Sequence, residues 1–298
     1  MNRLALGTVQ FGLSYGVTNT EGQVSEVSVQ EILQEASQHG IDMLDTAAAY
    51  GESEVVLSKQ IATNQFELVS KTRPLSSMKG KLDQVEKALN QSLDRLALHR
   101  PLYGMLIHDA DDLLGPQGDD IWKLLQEKKQ QGRICKIGVS VYSAQELDLI
   151  CQRYAIDLVQ LPHNVLDQRL RISGHLQTLQ DNCIEIHVRS ALLQGLLLLQ
   201  DIAALPVHLQ ELKPALARFQ QRAGELGCST LALALGYLRQ QTAIDRVLVG
   251  VVNPQQLTEI IVAWTEAASL PLHCADDLAI DTEYLLNPAK WSLLKVSQ

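Results

Sequence analysis

Short, nearly continuous apolar runs recur along the whole chain and are separated by longer amphipathic stretches. Runs that lack polar–apolar alternation are typical of β-strands buried on both faces of a parallel sheet. This pattern predicts strands at residues 4–7, 41–46, 66–71, 102–108, 135–140, 157–162, 184–190 and 246–251.

The stretches between these runs carry apolar residues three and four positions apart, which is the period of an amphipathic helix. Two of them also begin with helix-start signals. Ser25 is an N-cap candidate, and Ser143 with Glu146 forms a capping-box pattern. The pattern predicts helices within residues 25–40, 82–98, 118–132, 143–155 and 253–268, and two more within 208–240.

Eight strands that alternate with helices in 298 residues predict an α/β fold, a single-domain (β/α)8 TIM barrel over residues 1–298. An open, doubly wound sheet is the alternative. That fold usually has a G-x-G-x-x-G phosphate loop after its first strand, and GTVQFG at residues 7–12 lacks this spacing. Residues 267–298 depart from the alternation, and we expect this tail to pack over one end of the barrel.

Charge and composition limit the possible partners. The net charge of −9 argues against nucleic acid or an anionic membrane as a partner. The apolar segment 190–200 is too short to cross a bilayer, and the first residues lack an apolar signal region. The five cysteines are odd in number and lack C-x-x-C spacing. This pattern favours reduced thiols in a cytoplasmic protein and predicts no metal site, while the oligomeric state stays open.

Three titratable residues lie where consecutive predicted strands end. Asp45 ends the second strand, Lys71 the third and His108 the fourth. The carboxyl ends of all strands lie on one face of a β/α barrel, so these side chains are expected to point into one cleft. Tyr50 follows the second strand closely and is expected to join them.

These four residue types suit proton transfer to a carbonyl oxygen. A tyrosine with its ordinary pKa of ~10 is a weak acid, and the Lys71 ammonium is expected to lower that pKa. Asp45 would keep the lysine charged and oriented. Tyr50 would then protonate the oxygen, while His108 would donate a second hydrogen bond to it. The pattern predicts carbonyl reduction by hydride from a nicotinamide.

The same residues resemble the signature of the aldo-keto reductase superfamily, and the likeness covers nearly the whole chain. LDTAAAYG at 44–51 resembles its aspartate–tyrosine motif, VSKTR at 69–73 its lysine strand, and LIHDAD at 106–111 its histidine strand. The resemblance implies a small-molecule carbonyl substrate. It also implies NADPH as the default cofactor, with NADH possible. The implied catalytic residues are Asp45, Tyr50, Lys71 and His108.

The likeness also implies cofactor contacts. Ser140 and Gln160 would hold the nicotinamide carboxamide, and the segment around Gly195 would approach the diphosphate closely. The implied cofactor residues are Gly7, Thr8, Ser140, Gln160, Arg189, Ser190, Leu192, Gly195, Gly250, Asn253 and Gln256.

Three positions depart from the family pattern. Val141 stands where asparagine often follows the serine. Arg189 stands where an aromatic ring often stacks on the nicotinamide. Its guanidinium would stack there instead, attract an anionic substrate, or pair with a carboxylate. Residues 250–263 contain no Lys or Arg, although many relatives bind the 2′-phosphate of NADPH there. The role of Arg189 and the choice of cofactor therefore stay open.

Two other functions remain as alternatives. A Schiff-base aldolase would use Lys71 as its nucleophile, but that mechanism needs a neutral lysine and Asp45 stabilises the charged form. A non-catalytic relative would bind the nucleotide as a sensor or subunit partner, and the intact set of four residues argues against it. The polar, glycine-rich segment 7–23 and the low aromatic content of 4% favour a polar, sugar-like carbonyl substrate.

Overall fold

Eight parallel strands close into a barrel in the computed structural model, which describes residues 2–60, 66–78, 82–96 and 100–291. The strands are β1 (Leu4–Gly7), β2 (Met43–Asp45), β3 (Glu67–Lys71), β4 (Leu102–Ile107), β5 (Ile134–Ser140), β6 (Leu158–Pro162), β7 (Glu185–Arg189) and β8 (Arg246–Gly250). All eight predicted strands are confirmed. β1 pairs with both β2 and β8, with Leu4 opposite Val247, so the open-sheet alternative is wrong.

Helices connect the strands along the outside of the barrel. In the described part of the chain they are α1 (Val9–Gly12), α2 (Glu26–Gln38), α3 (Ser53–Gln60), α4 (Leu82–Leu96), α5 (Ala110–Leu114), α6 (Gly118–Gln130), α7 (Ala144–Arg153), α8 (Arg169–Ile172), α9 (His175–Asp181), α10 (Lys213–Glu225), α11 (Thr230–Gln240), α12 (Pro254–Glu266) and α13 (Glu283–Leu286). The predicted helices correspond to α2, α4, α6, α7, α10, α11 and α12. The short helices α8 and α9 occupy an interval where none was predicted.

The predicted helix caps form as side-chain hydrogen bonds. Ser25 Oγ accepts from the Ser28 N–H at 3.1 Å, at the start of α2. Ser143 Oγ accepts from the Glu146 N–H at 3.2 Å, and the Glu146 carboxylate accepts in return from the Ser143 N–H. Each cap satisfies a backbone donor that the first helical turn leaves unpaired.

The core has two parts. A small apolar cluster fills the inside of the barrel, and a much larger one lies between the barrel and its helices. The inner cluster consists of Ala5, Met43, Val69, Leu106, Leu158 and Leu248. Alternate residues of a strand lie on the same face, so residues two positions further along also face inward and reach the carboxyl end.

The chain after α12 consists of short turns and α13. Its Leu278 and Leu286 side chains are buried, and the Ile280 N–H donates to the Leu166 carbonyl at 3.0 Å. The expectation of one domain over 1–298 with a packed tail stays a prediction, and residues 292–298 lie outside the described part. None of the helices in the described ranges combines the length and apolar character needed to cross a membrane.

Candidate active site

A cavity of about 580 Å³ lies at the carboxyl ends of the strands. Asp45 and Lys71 are the last residues of β2 and β3, each two positions beyond a member of the inner apolar cluster. His108 directly follows β4, and Tyr50 lies in the turn before α3. All four side chains line this cavity, so the barrel brings together the residues that the strand ends predicted.

The Lys71 side chain is 1% exposed and forms the centre of the cluster. Its Nζ donates to Asp45 Oδ1 at 2.5 Å, to the Thr46 carbonyl at 3.0 Å and to Tyr50 Oη at 3.4 Å. An ammonium has three donors, and all of them have acceptors here. Burial lowers the pKa of Lys71, but Asp45 and Tyr50 outweigh it, so that the pKa lies above its ordinary value. The lysine therefore stays charged, which disfavours a Schiff-base aldolase.

Asp45 is satisfied on both carboxylate oxygens. Oδ1 accepts from Lys71, and Oδ2 accepts from Gln160 Nε2 at 2.7 Å. Breaking one partner of such a buried pair would leave an uncompensated charge, which is strongly destabilising. Gln160 thus reaches from β6 across the barrel and fixes the orientation of the Asp45 carboxylate.

The pKa of Tyr50 differs from the sequence-based expectation. Lys71 lowers this pKa as anticipated, but burial of the phenol raises it by more, so the net pKa lies above the ordinary value. The expectation of a net lowering is therefore wrong. The reason is desolvation, because removing water from a phenolate costs more here than one ammonium at 3.4 Å recovers.

His108 stands edge-on to Tyr50. The two ring centroids are 5.8 Å apart and the ring planes meet at 87°. Burial, reinforced by the positive charges of Lys71 and Arg189, lowers the pKa of His108 to about 3. Its Nδ1 is buried and has no hydrogen-bond partner among the described residues. The imidazole is therefore neutral at ordinary pH and available as a hydrogen-bonding group in the cavity.

The other residues implied by the family resemblance mostly line the same cavity. They are Gly7, Thr8, Ser140, Gln160, Arg189, Ser190, Leu192, Gly195, Gly250 and Gln256. Asn253 is not among the lining residues. Its Oδ1 caps α12 by accepting from the Gln256 N–H at 2.9 Å, and its Nδ2 donates to Glu21 at 2.9 Å.

The segment after β7 has an unusual backbone that suits an anion. Ser190, Gln194 and Gly195 have positive φ angles of 59°, 55° and 88°. Left-handed residues turn successive N–H groups toward one side, which forms a cradle for negative charge. The N–H groups of Ala191 and Leu192 donate to no oxygen in the described ranges, and both residues line the cavity. These donors fit the diphosphate of a dinucleotide.

Two further features fit a dinucleotide at the β1 and β8 side of the cavity. A Cβ on Gly250 would lie 2.6 Å from Gln10 Nε2, so a larger residue there would require the Gln10 side chain to move. Gln10 Oε1 is buried and lacks a hydrogen-bond partner within the described ranges. A bound ligand with a donor group would satisfy this oxygen.

Arg189 adopts an arrangement that the sequence did not predict. Its guanidinium lies 3.8 Å from the centre of the Tyr142 ring, its Nη2 donates to the Val141 carbonyl at 2.9 Å, and its Nε lies 3.4 Å from Ser140 Oγ. These are its side-chain partners among the described residues, where it forms no ion pair with an acid. Arg189 therefore does not pair with a carboxylate in the described part of the chain. Such pairing was one of the three roles considered for this residue.

The loop after β1 also contributes residues that the sequence motifs did not single out. Gln194 Nε2 donates to Tyr15 Oη at 3.0 Å, and Thr18 Oγ1 donates to the Gln194 carbonyl at 3.2 Å. These bonds join the β1 loop to the β7 loop across the cavity mouth. The glycine-rich composition of segment 7–23 was the only signal for this loop.

Comparison with known proteins identifies the family. The profile of the Aldo/keto reductase family matches residues 3–270, which is most of the chain. The chain therefore belongs to the aldo/keto reductase family and is an NAD(P)H-dependent oxidoreductase. The resemblance seen in the sequence is confirmed.

Individual relatives are distant but similar over nearly their full length. The chain is 23% identical to an Escherichia coli protein named NADH-specific methylglyoxal reductase, over 88% of this chain and 90% of the relative. It is 25% identical to the E. coli L-glyceraldehyde 3-phosphate reductase, over 89% of each chain. The structure of a glycerol dehydrogenase from Gluconobacter oxydans superposes with a TM-score of 0.71 at 21% identity, over 93% of this chain and 91% of that one. At that identity the structural likeness shows the fold alone.

Proposed function

We propose that this protein reduces an aldehyde or ketone to the alcohol, with Tyr50 as the proton donor. The observation that carries this proposal is the buried Lys71, which bridges Asp45 and Tyr50 beside a neutral His108. The surroundings of each side chain suit one role in the reaction, and all four side chains line one cavity large enough for a ligand.

Tyr50 stays protonated until negative charge develops on the carbonyl oxygen, because burial raises its pKa. When the proton leaves Tyr50 Oη, the phenolate forms next to the Lys71 ammonium. Lys71 already donates a hydrogen bond to that oxygen, so little rearrangement is needed. Asp45 and Gln160 keep the ammonium in place throughout. The site thus supplies a general acid whose product is stabilised in advance.

His108 polarises the carbonyl without transferring a proton. Its low pKa keeps the imidazole neutral, so it does not place a second cation beside Lys71. With Nδ1 enclosed, we place the proton on Nε2, which leaves one N–H for the substrate oxygen. Two donors would therefore converge on that oxygen, from Tyr50 and from His108.

A nicotinamide bound in the cavity would supply hydride to the carbonyl carbon. Ser140 and Gln160 line the part of the cavity next to the catalytic residues, where they would orient the carboxamide. The free N–H groups of Ala191 and Leu192 would hold the diphosphate, with Gly195 allowing close approach.

We further propose that NADPH is not strongly preferred over NADH. The side-chain cations that line the cavity in the described ranges are Lys71, which is held by Asp45 and Tyr50, and Arg189, which is held against Tyr142 and Val141. On α12 the lining residues include Gln256 and Glu259, which carry no positive charge. A 2′-phosphate held there would lack the cation that usually binds it.

The substrate is expected to be a polar carbonyl compound. Polar side chains line the mouth, including Tyr15, Thr18, Asn19 and Gln194. The names of two relatives, a methylglyoxal reductase and an L-glyceraldehyde 3-phosphate reductase, point in the same direction. We also propose a cytoplasmic location, because the five cysteines are free thiols.

The direct test is oxidation of NADH or NADPH by the purified protein in the presence of short hydroxylated aldehydes. We expect saturable turnover that yields the corresponding alcohol. Tight nucleotide binding without turnover of any aldehyde would instead support a nucleotide sensor or subunit partner.

The cofactor proposal is tested by the Kd values of NADH and NADPH, measured at fixed salt by quenching of tryptophan fluorescence. A charge-assisted contact is worth about 1.5–3 kcal/mol, or roughly one to two decades in Kd. Without it, we expect the two cofactors to bind within about tenfold of each other. An NADPH preference above ~10³-fold would show that a cation reaches the phosphate from another part of the chain.

A further inference from the structure

Two acidic and two basic side chains line the cavity, and one acid–base pair among them is an ion pair in the described ranges. Asp45 and Lys71 form that buried pair. Glu259 lies on α12, whereas Arg189 ends β7. The Arg189 side chain contacts Val141 and Ser140 and forms no ion pair within the described ranges, so its positive charge faces the cavity without a bound acid.

Arg189 lies on the opposite side of the barrel mouth from Lys71. In a closed barrel of eight strands, β7 is four strands away from β3, and the two residues end these strands. Arg189 and Lys71 both lower the pKa of His108, so both cations act on the imidazole. Tyr50, His108 and Arg189 line the same cavity, so a molecule whose carbonyl lies at Tyr50 and His108 has space to place a second group at Arg189.

The guanidinium is also held ready for a ligand. It rests on the Tyr142 ring at 3.8 Å and is tethered to the Val141 carbonyl. A guanidinium carries five N–H donors, of which these contacts and the long approach to Ser140 use only part. Stacking on Tyr142 holds the guanidinium plane in position before an anion binds. Less side-chain entropy is therefore lost when the guanidinium binds the anion.

Tyr15 offers a second donor at the same mouth. Its Oη accepts a hydrogen bond from Gln194 Nε2 at 3.0 Å, which leaves its own O–H free to donate into the cavity. Desolvation raises the pKa of Tyr15 to about 12, so this hydroxyl stays protonated in the working pH range.

We infer that Arg189 and Tyr15 form a subsite for an anionic group of the substrate, so that the protein acts on carbonyl compounds bearing a carboxylate or a phosphate. The inference rests on the proposed function, because the anion is bound together with the carbonyl that Tyr50 protonates. Binding balances the charge of a partly buried guanidinium and uses its planar fork, which matches both anions.

The inference is tested with pairs of substrates in which one member carries an anionic group that the other lacks. Succinic semialdehyde is compared with butanal for the carboxylate, and glyceraldehyde 3-phosphate with glyceraldehyde for the phosphate. The readout is the ratio of kcat/KM for the anionic over the neutral member, because any loss common to both cancels. The variants are Arg189→Met, Arg189→Lys and Tyr15→Phe, with Arg133→Met as the matched control. Arg133 pairs with exposed Asp94 outside the cavity.

In the wild type we expect at least one anionic member to be preferred, and the pair identifies whether carboxylate or phosphate is bound. Arg189→Met should lower that ratio about 10- to 100-fold, the effect of losing a hydrogen bond to a charged group. Tyr15→Phe should lower it about 3- to 10-fold, Arg189→Lys should retain part of it, and Arg133→Met should leave it unchanged. An equal fall for both members of a pair in Arg189→Met would overturn the inference.

A binding measurement separates this inference from the proposed function. Calorimetric titration of the NADH-saturated protein with inorganic phosphate and with acetate needs no turnover. We expect at least one anion to bind the wild type, and to bind Arg189→Met at least tenfold more weakly, while the Kd of NADH changes less than threefold. No anion binding in the wild type, or a matching loss of NADH affinity, would show that Arg189 serves no anion subsite. A protein that binds the anion but reduces no carbonyl would contradict only the proposed function.

Discussion

The barrel contains two clusters built from the same four kinds of functional group, one at each end. Each combines a lysine, a carboxylate, a tyrosine and a histidine. The cluster at the carboxyl end consists of Lys71, Asp45, Tyr50 and His108, and the cluster at the amino end consists of Lys136, Glu185, Tyr103 and His187. The shared set of functional groups allows the effect of their placement to be compared.

At the amino end most of the polar groups satisfy one another, although His187 Nδ1 is buried without a partner among the described residues. Tyr103 Oη donates to Glu185 at 2.8 Å and accepts from Lys136 Nζ at 3.0 Å, while His187 Nε2 lies 2.6 Å from Glu185. Lys136 also forms an ion pair with Glu185. Burial alone would raise the pKa of Glu185, but hydrogen bonds from His187 and Lys136 outweigh it and lower this pKa to about 2. None of these residues lines the cavity.

At the carboxyl end the lysine and the carboxylate are equally well paired, but the tyrosine and histidine are not. Tyr50 receives one hydrogen bond from Lys71, and both Tyr50 and His108 face the cavity. We therefore expect reactivity to come from Tyr50 and His108, the two groups left open to a ligand. At the amino end the same kinds of group are hydrogen-bonded to one another and connect β4, β5 and β7.

The largest difference is expected for the two tyrosines. Tyr50→Phe should lower kcat by about 10²–10⁴-fold, since it removes the general acid, and should leave the Kd of the cofactor nearly unchanged. Tyr103→Phe is the matched control and should retain the wild-type kcat. If Tyr50→Phe kept more than about a tenth of kcat, Tyr50 would not be the proton donor.

Substitution of the two lysines is expected to change different properties, activity for one and stability for the other. Lys71→Met should lower activity and move the pH limb that reports Tyr50 ionisation to higher pH, because Lys71 lowers the Tyr50 pKa against burial. Lys136→Met should leave that limb in place and instead lower the free energy of unfolding by about 1–2 kcal/mol, as expected for a partly exposed ion pair with hydrogen bonds. A fully active Lys71→Met with an unchanged pH profile would make both lysines structural.

The last difference concerns acid stability at the amino end. The pKa of Glu185 is about 2 in the fold, below its ordinary value of 4.5. The carboxylate therefore stabilises the fold fully above the unfolded pKa, and this contribution is lost as pH falls toward the folded value. We expect Glu185→Gln to have a lower free energy of unfolding than wild type at neutral pH. Under acid this difference between the two proteins should shrink by on the order of 2 kcal/mol. Urea unfolding of both proteins at pH ~7 and pH ~3 measures the difference, and a difference that does not change with pH would contradict the lowered pKa of Glu185.

The sequence alone determined the strands and the residues that end them. The apolar runs are local features, and a residue two positions beyond a buried one faces the same side of the sheet. Asp45 and Lys71 could therefore be assigned to the carboxyl ends of β2 and β3, and His108 to the end of β4, before any distance was known. Their types also indicated proton transfer to a carbonyl.

Only the tertiary structure decided how these groups behave. Gln160 reaches Asp45 across 115 positions of the chain, and Gln194 reaches Tyr15 across 179. The net direction of the Tyr50 pKa depends on how much water the fold removes, and the stacking of Arg189 depends on where Tyr142 lies. Periodicity and residue type carry no information on such contacts. Hydrogen bonds, desolvation and charge interactions depend on the distances between atoms that only the folded chain brings together.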